Sequence, residues 1–477
     1  MTLEAVAVET VIVLAAGDGT RMKSTQAKVL HSVAGRTLLA HVLTAVNYLN
    51  PDEIRIVVGA GRESVEAHIL EIAPAAFTIY QEERNGTGHA AQLALAGKEV
   101  SGTVLVLAGD TPMLTGLSLA TFLGAHVAGG FVASVLTAEH PDPSGYGRII
   151  RDNNDELLRI VEELDANDEE KFIFEINSGV YAFDGAELVR AIAKLDKANA
   201  QGELYLTDVI GILKAEGASI AAIMIEDFTE ILGVNDRIQL AESAALLRDR
   251  INESWMRQGV TMIDPTTTWI DSTAQLSSDV IVHPGSAILG TTSVATGAVI
   301  GPRTTLTNCQ VQKGASVLES IAVDTVIGEG ALVGPFTYLR QGTLLHNFTK
   351  AGAFVEIKNS TVGAGSKVPH LSYVGDATIG EGTNIGAATI FVNYDGVDKH
   401  HTHVGDHVRI GSDTMLVAPL TIGDGAYTAA GSVITEDIPA GAIGVGRARQ
   451  RNVLSWVMRK RAGTQSAKAA EASEKKG

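Results

Sequence analysis

The sequence predicts two domains of different fold class, an α/β domain followed by a parallel β-helix. Up to about residue 237, apolar strand-like runs alternate with helical patterns. From about residue 260 onward, aliphatic residues instead recur every sixth position. The 477 residues include 50 glycines, while aromatic residues make up only 5%, which is unusual for an ordinary globular chain. A chain of this length has room for both domains, each with its own core.

The first domain is predicted to contain a mainly parallel sheet with helices on both sides. Its strand-like runs are apolar on both faces, which is typical of strands buried in a parallel sheet. Helical stretches such as residues 37–49 and 88–99 separate them. The runs are VIVLAAG (11–17), EIRIVVGA (53–60), FTIYQEE (77–83), TVLVLAGD (103–110) and FVASVLTA (131–138).

Residues 238–258 are predicted to form one connecting helix, because they are rich in Ala, Leu, Glu and Arg and contain no Gly or Pro. We therefore divide the chain into an α/β domain (1–237), a connecting helix (238–258), a β-helix domain (259–450) and a C-terminal segment (451–477). Beyond Ala462 the sequence has almost no large apolar side chains. The C-terminal segment is thus predicted to be a helix followed by a disordered tail.

The six-residue spacing predicts a β-helix because it matches neither the period of a helix nor that of a strand. Each side of a coil would take six residues, with the aliphatic side chains stacked inside. The spacing slips at 309–311, 323–327 and 391–403, where we expect loops that leave the coil. Flat faces of such a coil commonly associate about a threefold axis, which favours a homotrimer. The aliphatic positions are Val282, Ile288, Val294, Ile300, Leu306, Val311, Val317, Val323, Ile327, Val333, Leu339, Leu345, Val404, Ile410, Leu416, Ile422 and Ile434.

Charge and composition exclude several classes of function. The net charge of −18 argues against binding to nucleic acid or to anionic membranes. No apolar run reaches the roughly 18 residues needed to cross a bilayer. Glu4 and Glu9 stand where a signal peptide would have a basic region, and the single Cys309 allows no internal disulfide. We therefore expect a cytoplasmic protein.

The first strand ends in a glycine-rich loop that two cations follow. Gly17 and Gly19 would let backbone N–H groups approach an anion, and Arg21 and Lys28 would add positive charge. The loop follows the carboxyl end of a predicted strand, where open α/β folds bind ligands. Its spacing differs from that of a Walker phosphate loop, and such a loop is also common as a simple turn.

A second polar position follows another buried strand. Asp110 ends this strand, and Pro112 prevents the strand from continuing. A carboxylate at such a position could hold a divalent cation, and oxygen ligands suit Mg²⁺. The alternative is an aspartate that caps the next helix.

Further motifs place Gly, Asn or Glu at the ends of apolar runs and complete a cleft lined with backbone donors. They are NGTGHAA (85–91), GYGRII (145–150), IVEELDA (160–166), INSGVY (176–181) and ILGVNDR (231–237). Together with LAAGDGTRM and KVLH, this set resembles the sugar-phosphate nucleotidyltransferases. The order of the motifs is similar to that of the bacterial bifunctional N-acetylglucosamine-1-phosphate uridylyltransferases/glucosamine-1-phosphate N-acetyltransferases, and the resemblance extends to about residue 450. It implies a Rossmann-like nucleotidyltransferase domain followed by a left-handed β-helix of hexapeptide repeats.

The resemblance implies roles for residues of the first domain. Arg21 and Lys28 would contact phosphates during catalysis, and Asp110 and Asn235 would hold Mg²⁺. Ala27 and Asn85 depart from the family pattern, but neither change removes a contacting group. The residues implied to bind UTP or UDP-N-acetylglucosamine are Leu14, Ala15, Ala16, Gly17, Lys28, Gln81, Gly86, Thr87, Gly147, Glu162, Asn177 and Asn235.

The β-helix half contains polar residues that the stacking of its coils does not require. The resemblance implies that one of them, His370, is the general base of an acetyl transfer, with Glu356 orienting its ring. Gln341 replaces the Pro that is common in the family. The residues implied to bind glucosamine 1-phosphate are Arg340, Lys358, Tyr373 and Asn384, and those implied to bind acetyl-CoA are Ala387, Asn393, Tyr394, Ser412, Ala430 and Arg447.

Basic residues cluster near the end of this otherwise acidic chain. Coenzyme A carries a diphosphate and a 3′-phosphate that such a cluster would attract; the alternative is a solvated basic helix. The histidines of HHTHVGDH (400–407) have metal-like spacings, but they fall in a loop and we do not interpret them as a metal site. The basic cluster comprises Arg447, Arg449, Arg451, Arg459, Lys460 and Arg461.

The sequence therefore predicts an enzyme with two activities that uses UTP and acetyl-CoA as co-substrates. Acetyl transfer to glucosamine 1-phosphate would precede uridylyl transfer, and the product would be UDP-N-acetylglucosamine. One alternative is a single-activity sugar-nucleotide pyrophosphorylase with a purely structural β-helix, which would not need His370. Another is a non-catalytic trimeric binding protein, which would not need Asp110 and Asn235.

Overall fold

The computed structural model describes residues 8–475 and divides into two compact units. The first unit runs to Ser278 and also includes Val282–Thr292, and the second consists of Asp279–Ile281 and the residues from Ser293 on. The first coils of the six-residue pattern therefore belong to the first unit, although the sequence placed the start of the β-helix domain at residue 259.

The described part of the first unit contains a nine-stranded sheet, a two-stranded ribbon and seven α-helices. The strands of this unit before residue 260 are β1 (Thr10–Ala15), β2 (Ser32–Val33), β3 (Arg36–Thr37), β4 (Glu53–Val58), β5 (Phe77–Tyr80), β6 (Thr103–Ala108), β7 (Ala133–Glu139), β8 (Arg148–Arg151), β9 (Leu157–Val161), β10 (Glu175–Asp184) and β11 (Ile220–Met224). The helices are α1 (Leu38–Asn47), α2 (Arg62–Ile72), α3 (Thr87–Leu95), α4 (Gly116–Ala128), α5 (Gly185–Ile192), α6 (Asp208–Ala215) and α7 (Arg237–Arg257).

The sheet is mainly parallel, as the sequence predicts. Its order is β11-β7-β10-β6-β1-β4-β5, and β8 and β9 form a hairpin beside β10. Only β10 breaks the parallel order of the main path, because it runs antiparallel to both β6 and β7. Val11 and Val13 on β1 pack into the core shared with α1, α2 and α4, whereas Ile12 packs into the core shared with α3, α5 and α6. The strand is thus buried on both faces, which explains its uninterrupted apolar run.

Buried histidines, among them His41 and His126, make the stability of the first unit depend on pH. Nε2 of His41 donates to the carbonyl of Val33 over 2.9 Å, and Nδ1 of His126 lies 2.8 Å from the hydroxyl of Ser134. Burial lowers the pKa of both imidazoles below the ordinary value of 6.5. Below that pH the unfolded chain binds protons that the folded chain does not. We therefore expect the free energy of unfolding to decrease as the pH falls below about 6.5, by up to about 1.4 kcal/mol per pH unit for each histidine.

Chemical denaturation followed by helical circular dichroism at a series of pH values measures this slope. His126→Asn is expected to make the decrease shallower, because one of the titrating groups is removed. The same substitution at His346, whose side chain is exposed, serves as the control and leaves the slope unchanged. A slope that is identical in wild type and His126→Asn would contradict this account.

The six-residue pattern folds into short parallel strands on three faces of a coil. Before Ser293 the strands are Thr261–Met262, Trp269–Ile270, Gln275–Leu276, Ile281–Val282 and Ala287–Leu289. In the second unit, the first face contains Val299–Ile300, Ser316–Val317, Leu332–Val333, Lys350–Ala353 and Lys367–His370, and later Tyr427–Thr428 and Ile443–Gly444. The second face contains Thr305–Thr307, Ile321–Val323, Tyr338–Leu339, Glu356–Lys358, Tyr373–Gly375, Ile390–Val392, Met415–Val417 and Val433–Ile434. The third face contains Ser293–Val294, Gln310–Val311, Val326–Ile327, Leu344–Leu345, Thr361–Val362, Ala377–Ile379, Thr402–Val404 and Leu420–Ile422.

The coil continues through two of the positions where its spacing slips, so the loops predicted at 309–311 and 323–327 are wrong. Gln310–Val311 is a regular strand that pairs in parallel with the strands before and after it on its face. Ala322 is fully buried, whereas Val323, which the spacing placed in the core, is only half-buried. The core position therefore comes one residue earlier than predicted.

A shorter turn explains these slips. In most six-residue steps, a residue with left-handed backbone lies three positions after the buried one, as Arg303 (φ 46) does after Ile300. In a five-residue step it lies two positions after, as Asn308 (φ 52) does after Leu306. The corner is then one residue shorter, and the next strand still falls into place on its face.

The C-terminal segment forms two helices, α8 (Trp456–Lys460) and α9 (Gln465–Glu474). The second one replaces the predicted disordered tail. Its sequence is rich in alanine, a strong helix former, and the side chain of Thr464 accepts a hydrogen bond from the N–H of Ala467 at the N-terminus. These local signals outweigh the lack of large apolar side chains.

Candidate functional sites

A cleft of about 430 Å³ opens at the edge of the sheet where β1 and β6 end. Leu14 lies opposite Ala108 in these parallel strands, so the loops after them leave the same edge of the sheet. This cleft brings together most of the residues predicted to bind nucleotide, sugar or metal. Those that line it are Leu14, Ala15, Ala16, Gly17, Lys28, Gln81, Gly86, Thr87, Asp110, Glu162 and Asn177.

The glycine-rich loop packs tightly against Lys28. Gly19 has left-handed backbone (φ 60), and a Cβ at this position would lie only 2.8 Å from the Cβ of Lys28, so a side chain would push the two segments apart. Lys28 begins the 3₁₀ turn Lys28–Leu30. Arg21 lies on another such turn, Thr20–Met22, where its side chain is exposed and does not line the cleft.

Lys28, Asp110 and Asn235 meet at one point. Nζ of Lys28 forms an ion pair with the carboxylate of Asp110 and donates to Oδ1 of Asn235 over 3.1 Å. The backbone keeps the two oxygen donors together, because the N–H of Val234 donates to the carbonyl of Asp110 over 3.0 Å. Val234 itself is fully buried in a small core that includes Leu247 of α7. The connecting helix thereby fixes Asn235 beside Asp110.

This pair of side chains fits a divalent cation. A carboxylate and an amide oxygen are donors that Mg²⁺ accepts. Within residues 8–475, no group of three or more His, Cys, Asp or Glu side chains is placed to hold a metal ion. The other ligands of an octahedral ion would therefore come from phosphates and water.

Two of the residues predicted to bind the sugar, Glu162 and Asn177, line another part of the cleft, and the third, Gly147, lies beside them. The hydroxyl of Thr207 donates to Oε1 of Glu162 over 3.1 Å, and burial raises the pKa of Glu162. The N–H of Asn177 donates to the carbonyl of Gly147 over 2.8 Å, and its side-chain amide donates to the hydroxyl of Tyr181 over 2.7 Å. A Cβ at Gly147 would lie 3.5 Å from Oε2 of Glu162. Gly147 therefore leaves room for a ligand next to this carboxylate.

Several residues of the cleft were missed by the sequence analysis. Arg84 forms an ion pair with Asp18 and so joins the glycine-rich loop to the segment before α3. Residues 203–207 reach the cleft because the N–H of Gly88 donates to the carbonyl of Leu204 over 2.8 Å. No motif marks this segment, because it reaches the cleft only through contacts with residues that are distant in sequence. The missed residues include Arg84, Glu203, Leu206 and Thr207, whereas Asp18 and Tyr181 stand within quoted motifs but were given no role.

In the second unit, one corner of the coil aligns residues from successive turns. The N–H groups of Ala388, Asp413 and Gly431 donate to the carbonyls of His370, Ala387 and Ser412 over 3.2, 2.8 and 2.8 Å, respectively. His370, Ala387, Ser412 and Ala430 thus lie on consecutive coils, about 4.8 Å apart. We call these four residues the corner row. It joins the predicted base to three of the residues predicted to bind acetyl-CoA.

The face next to the corner row carries the residues predicted to bind the sugar phosphate. NH1 of Arg340 lies 2.8 Å from Oε1 of Glu356. The carboxylate of Glu356 thus pairs with Arg340, and its predicted role in orienting the imidazole of His370 stays a prediction. Lys399, which no sequence motif marked, lies close to Lys358, and its positive charge lowers the pKa of that lysine. A cluster of cations thus surrounds this face.

Asn393 and Tyr394 begin the loop that leaves the coil between Ile390–Val392 and Thr402–Val404. The side-chain amide of Asn393 donates to Asp376 over 2.5 Å. Burial opposes ionisation of Asp376, but this hydrogen bond and one from Asn359 outweigh burial and lower the pKa of Asp376. Asn393 is therefore held in place, whereas Tyr394 is exposed.

Two other predicted residues extend this arrangement. Asn384 lies beside Lys367, one coil away on the first face. Cδ of Arg447 lies 4.0 Å from the point where a Cβ would stand on Gly431. Arg447 therefore lies at the end of the corner row that is farthest from His370.

Comparisons with known proteins agree with this division into two sites. A model of the MobA-like NTP transferase domain matches residues 11–196, and a model of the bacterial transferase hexapeptide (six repeats) matches residues 401–436. A protein of Streptomyces coelicolor named bifunctional protein GlmU is 53% identical over 465 residues, which cover 97% of this chain and 96% of that protein. The chain belongs to the bifunctional GlmU family. The protein of the same name from Corynebacterium efficiens is 52% identical over 469 residues, 97% of this chain and 96% of that protein.

These matches confirm the family, the fold class and the two enzymatic activities that the sequence predicts. Of the helices described between residues 8 and 475, none is both long and apolar enough to span a bilayer.

Proposed function

We propose that the protein makes UDP-N-acetylglucosamine by two successive reactions, acetyl transfer in the β-helix unit and uridylyl transfer in the α/β unit. The corner row carries this proposal, because His370 stands there in line with Ala387, Ser412 and Ala430. A β-helix that served only to associate chains would need no imidazole in that row and no cations beside it. The arrangement therefore disfavours a single-activity pyrophosphorylase.

In the α/β unit, the cleft would bind UTP with its base near Gln81 and its phosphates near the glycine-rich loop. Lys28 would neutralise phosphate charge, with Arg21 approaching from its exposed turn. A Mg²⁺ ion between Asp110 and Asn235 would, when bound, add positive charge at the phosphates. Positioning and charge neutralisation are the main contributions that phosphoryl transfer needs from a protein.

The sugar 1-phosphate would bind beside Gly147, Glu162 and Asn177. One of its phosphate oxygens attacks the α-phosphorus of UTP, the bond to the β-phosphate breaks, and pyrophosphate leaves. The attacking phosphate is already ionised at neutral pH, so this reaction requires no general base. Lys28 stabilises the charge that develops on the transferred group.

In the β-helix unit, Arg340 and Lys358 would hold the phosphate of glucosamine 1-phosphate, with Lys399 adding a third cation. His370 takes a proton from the 2-amino group, which attacks the thioester carbonyl of acetyl-CoA. A C–N bond forms, the C–S bond breaks, and the proton passes to the departing thiolate. An imidazole suits this task because one ring nitrogen can both accept and release a proton.

We further propose that the protein is a homotrimer in the cytoplasm. The β-helix exposes a row of large apolar side chains, of which Phe336 and Phe354 stack with ring centroids 5.2 Å apart. Leu371, on the next coil of the same corner, is also more than half exposed. Exposed apolar rows of this kind mark surfaces that associate.

A two-stage assay tests the proposed function. The purified protein is incubated first with glucosamine 1-phosphate and acetyl-CoA, and free thiol is measured. UTP is then added, and pyrophosphate and UDP-N-acetylglucosamine are measured. We expect both stages to proceed. Pyrophosphate release from supplied N-acetylglucosamine 1-phosphate without any thiol release would favour the single-activity alternative, and the absence of both would favour a binding protein.

A further inference from the structure

The ammonium group of Lys28 lies between the two oxygen donors proposed to hold the divalent ion. Nζ forms an ion pair with Asp110 and donates to Oδ1 of Asn235 over 3.1 Å. The side chains of Lys28 and Asp110 are only 14% and 13% exposed, so little water screens the pair. We propose that Lys28 acts as an internal cation that excludes a divalent ion from the nucleotide-free cleft and releases the site when a triphosphate enters. This inference rests on the proposed uridylyl transfer.

Charge explains the exclusion. The ammonium and a divalent cation cannot share the same two oxygens without strong repulsion, since they would lie only a few ångströms apart in a poorly hydrated place. A free divalent ion would have to displace Nζ and leave the ammonium without a partner in a partly buried place, which is costly. The carboxylate of the neighbouring loop, Asp18, already pairs with Arg84 and is not free to receive Lys28.

A bound triphosphate removes this obstacle, because its oxygens offer Lys28 a new anionic partner. The backbone of Lys28 stays in place, since it packs against Gly19 and its carbonyl accepts a hydrogen bond from the N–H of His31 over 3.2 Å. Only the outer part of the flexible lysine side chain needs to move. Nucleotide and divalent ion then favour each other's binding, and this coupling is reciprocal.

Binding of Mn²⁺ alone to the nucleotide-free, full-length protein tests the inference. Electron paramagnetic resonance reports the free ion, and wild type is compared with Lys28→Met, which matches the lysine stem as far as Cε and removes the charged ammonium. We expect Lys28→Met to gain one site per chain with affinity at least about tenfold above that of wild type. Lys28→Gln is measured in parallel in case the methionine variant folds poorly.

Two further variants assign the gain to this site. Adding Asp110→Asn to Lys28→Met is expected to abolish it. Lys23→Met removes an exposed lysine of the same segment and should bind Mn²⁺ as wild type does. If neither Lys28 variant binds Mn²⁺ more tightly than wild type, the inference is overturned. The single variant Asp110→Asn then separates this inference from the proposed function. If it has lost uridylyl transfer, the proposed function stands. If it keeps full uridylyl transfer, the proposed metal site is wrong.

Discussion

Asp110→Asn is expected to lower kcat/KM for uridylyl transfer by about 10³-fold, equivalent to about 4 kcal/mol of transition-state stabilisation. Asparagine keeps the shape of the side chain but removes the only charged member of the proposed donor pair. Asn235 would then hold a divalent ion with neutral oxygens alone, and Lys28 would lose its ion-pair partner. Pyrophosphate release with UTP and N-acetylglucosamine 1-phosphate measures the effect.

Acetyl transfer by the same preparation serves as an internal control, since His370 and its neighbours lie in the other unit. The matched variant is Asp168→Asn, which makes the same chemical change at an exposed carboxylate and should leave both activities intact. If Asp110→Asn retains uridylyl transfer within about threefold of wild type, Asp110 does not hold a catalytic ion.

Much of the fold was predictable because its two patterns are continuous. The apolar run of β1 is buried on both faces, so its composition alone indicates a parallel sheet. The six-residue spacing likewise predicts a coil. The exact position of a core residue depends on the backbone of each corner, and the spacing gives no sign that Glu319 takes a left-handed conformation two positions after Val317. The wrong placement of Val323 follows from this.

The candidate sites were also predictable in part, because some of their residues interrupt apolar runs. Polar residues at the ends of buried strands, such as Asp110, stand out against apolar neighbours, and parallel strands bring these ends to one edge. Contacts between loops leave no such signal. The ion pair of Arg84 with Asp18 and the approach of Lys399 to Lys358 join segments that are distant in sequence. Only the folded chain shows them.

His370→Ala is expected to reduce acetyl transfer by about 10²–10⁴-fold, the usual range for loss of a general base. The corner row is held by backbone hydrogen bonds, including the one from Ala388 to the carbonyl of residue 370, and these persist in the variant. The proposed acetyl-CoA residues Ala387 and Ser412 therefore remain in place. The loss should appear in kcat, while KM for acetyl-CoA changes little.

Thiol release from acetyl-CoA with glucosamine 1-phosphate as acceptor measures this loss, and uridylyl transfer by the same preparation should continue at the wild-type rate. His346→Ala, at an exposed imidazole on another face, is the matched control and should keep both activities. A parallel loss of both activities in His370→Ala would indicate misfolding, and unchanged acetyl transfer would exclude His370 as the base. A loss confined to acetyl transfer would instead separate the two reactions within one chain. No purely structural β-helix accounts for that result, because a scaffold has no reaction to lose.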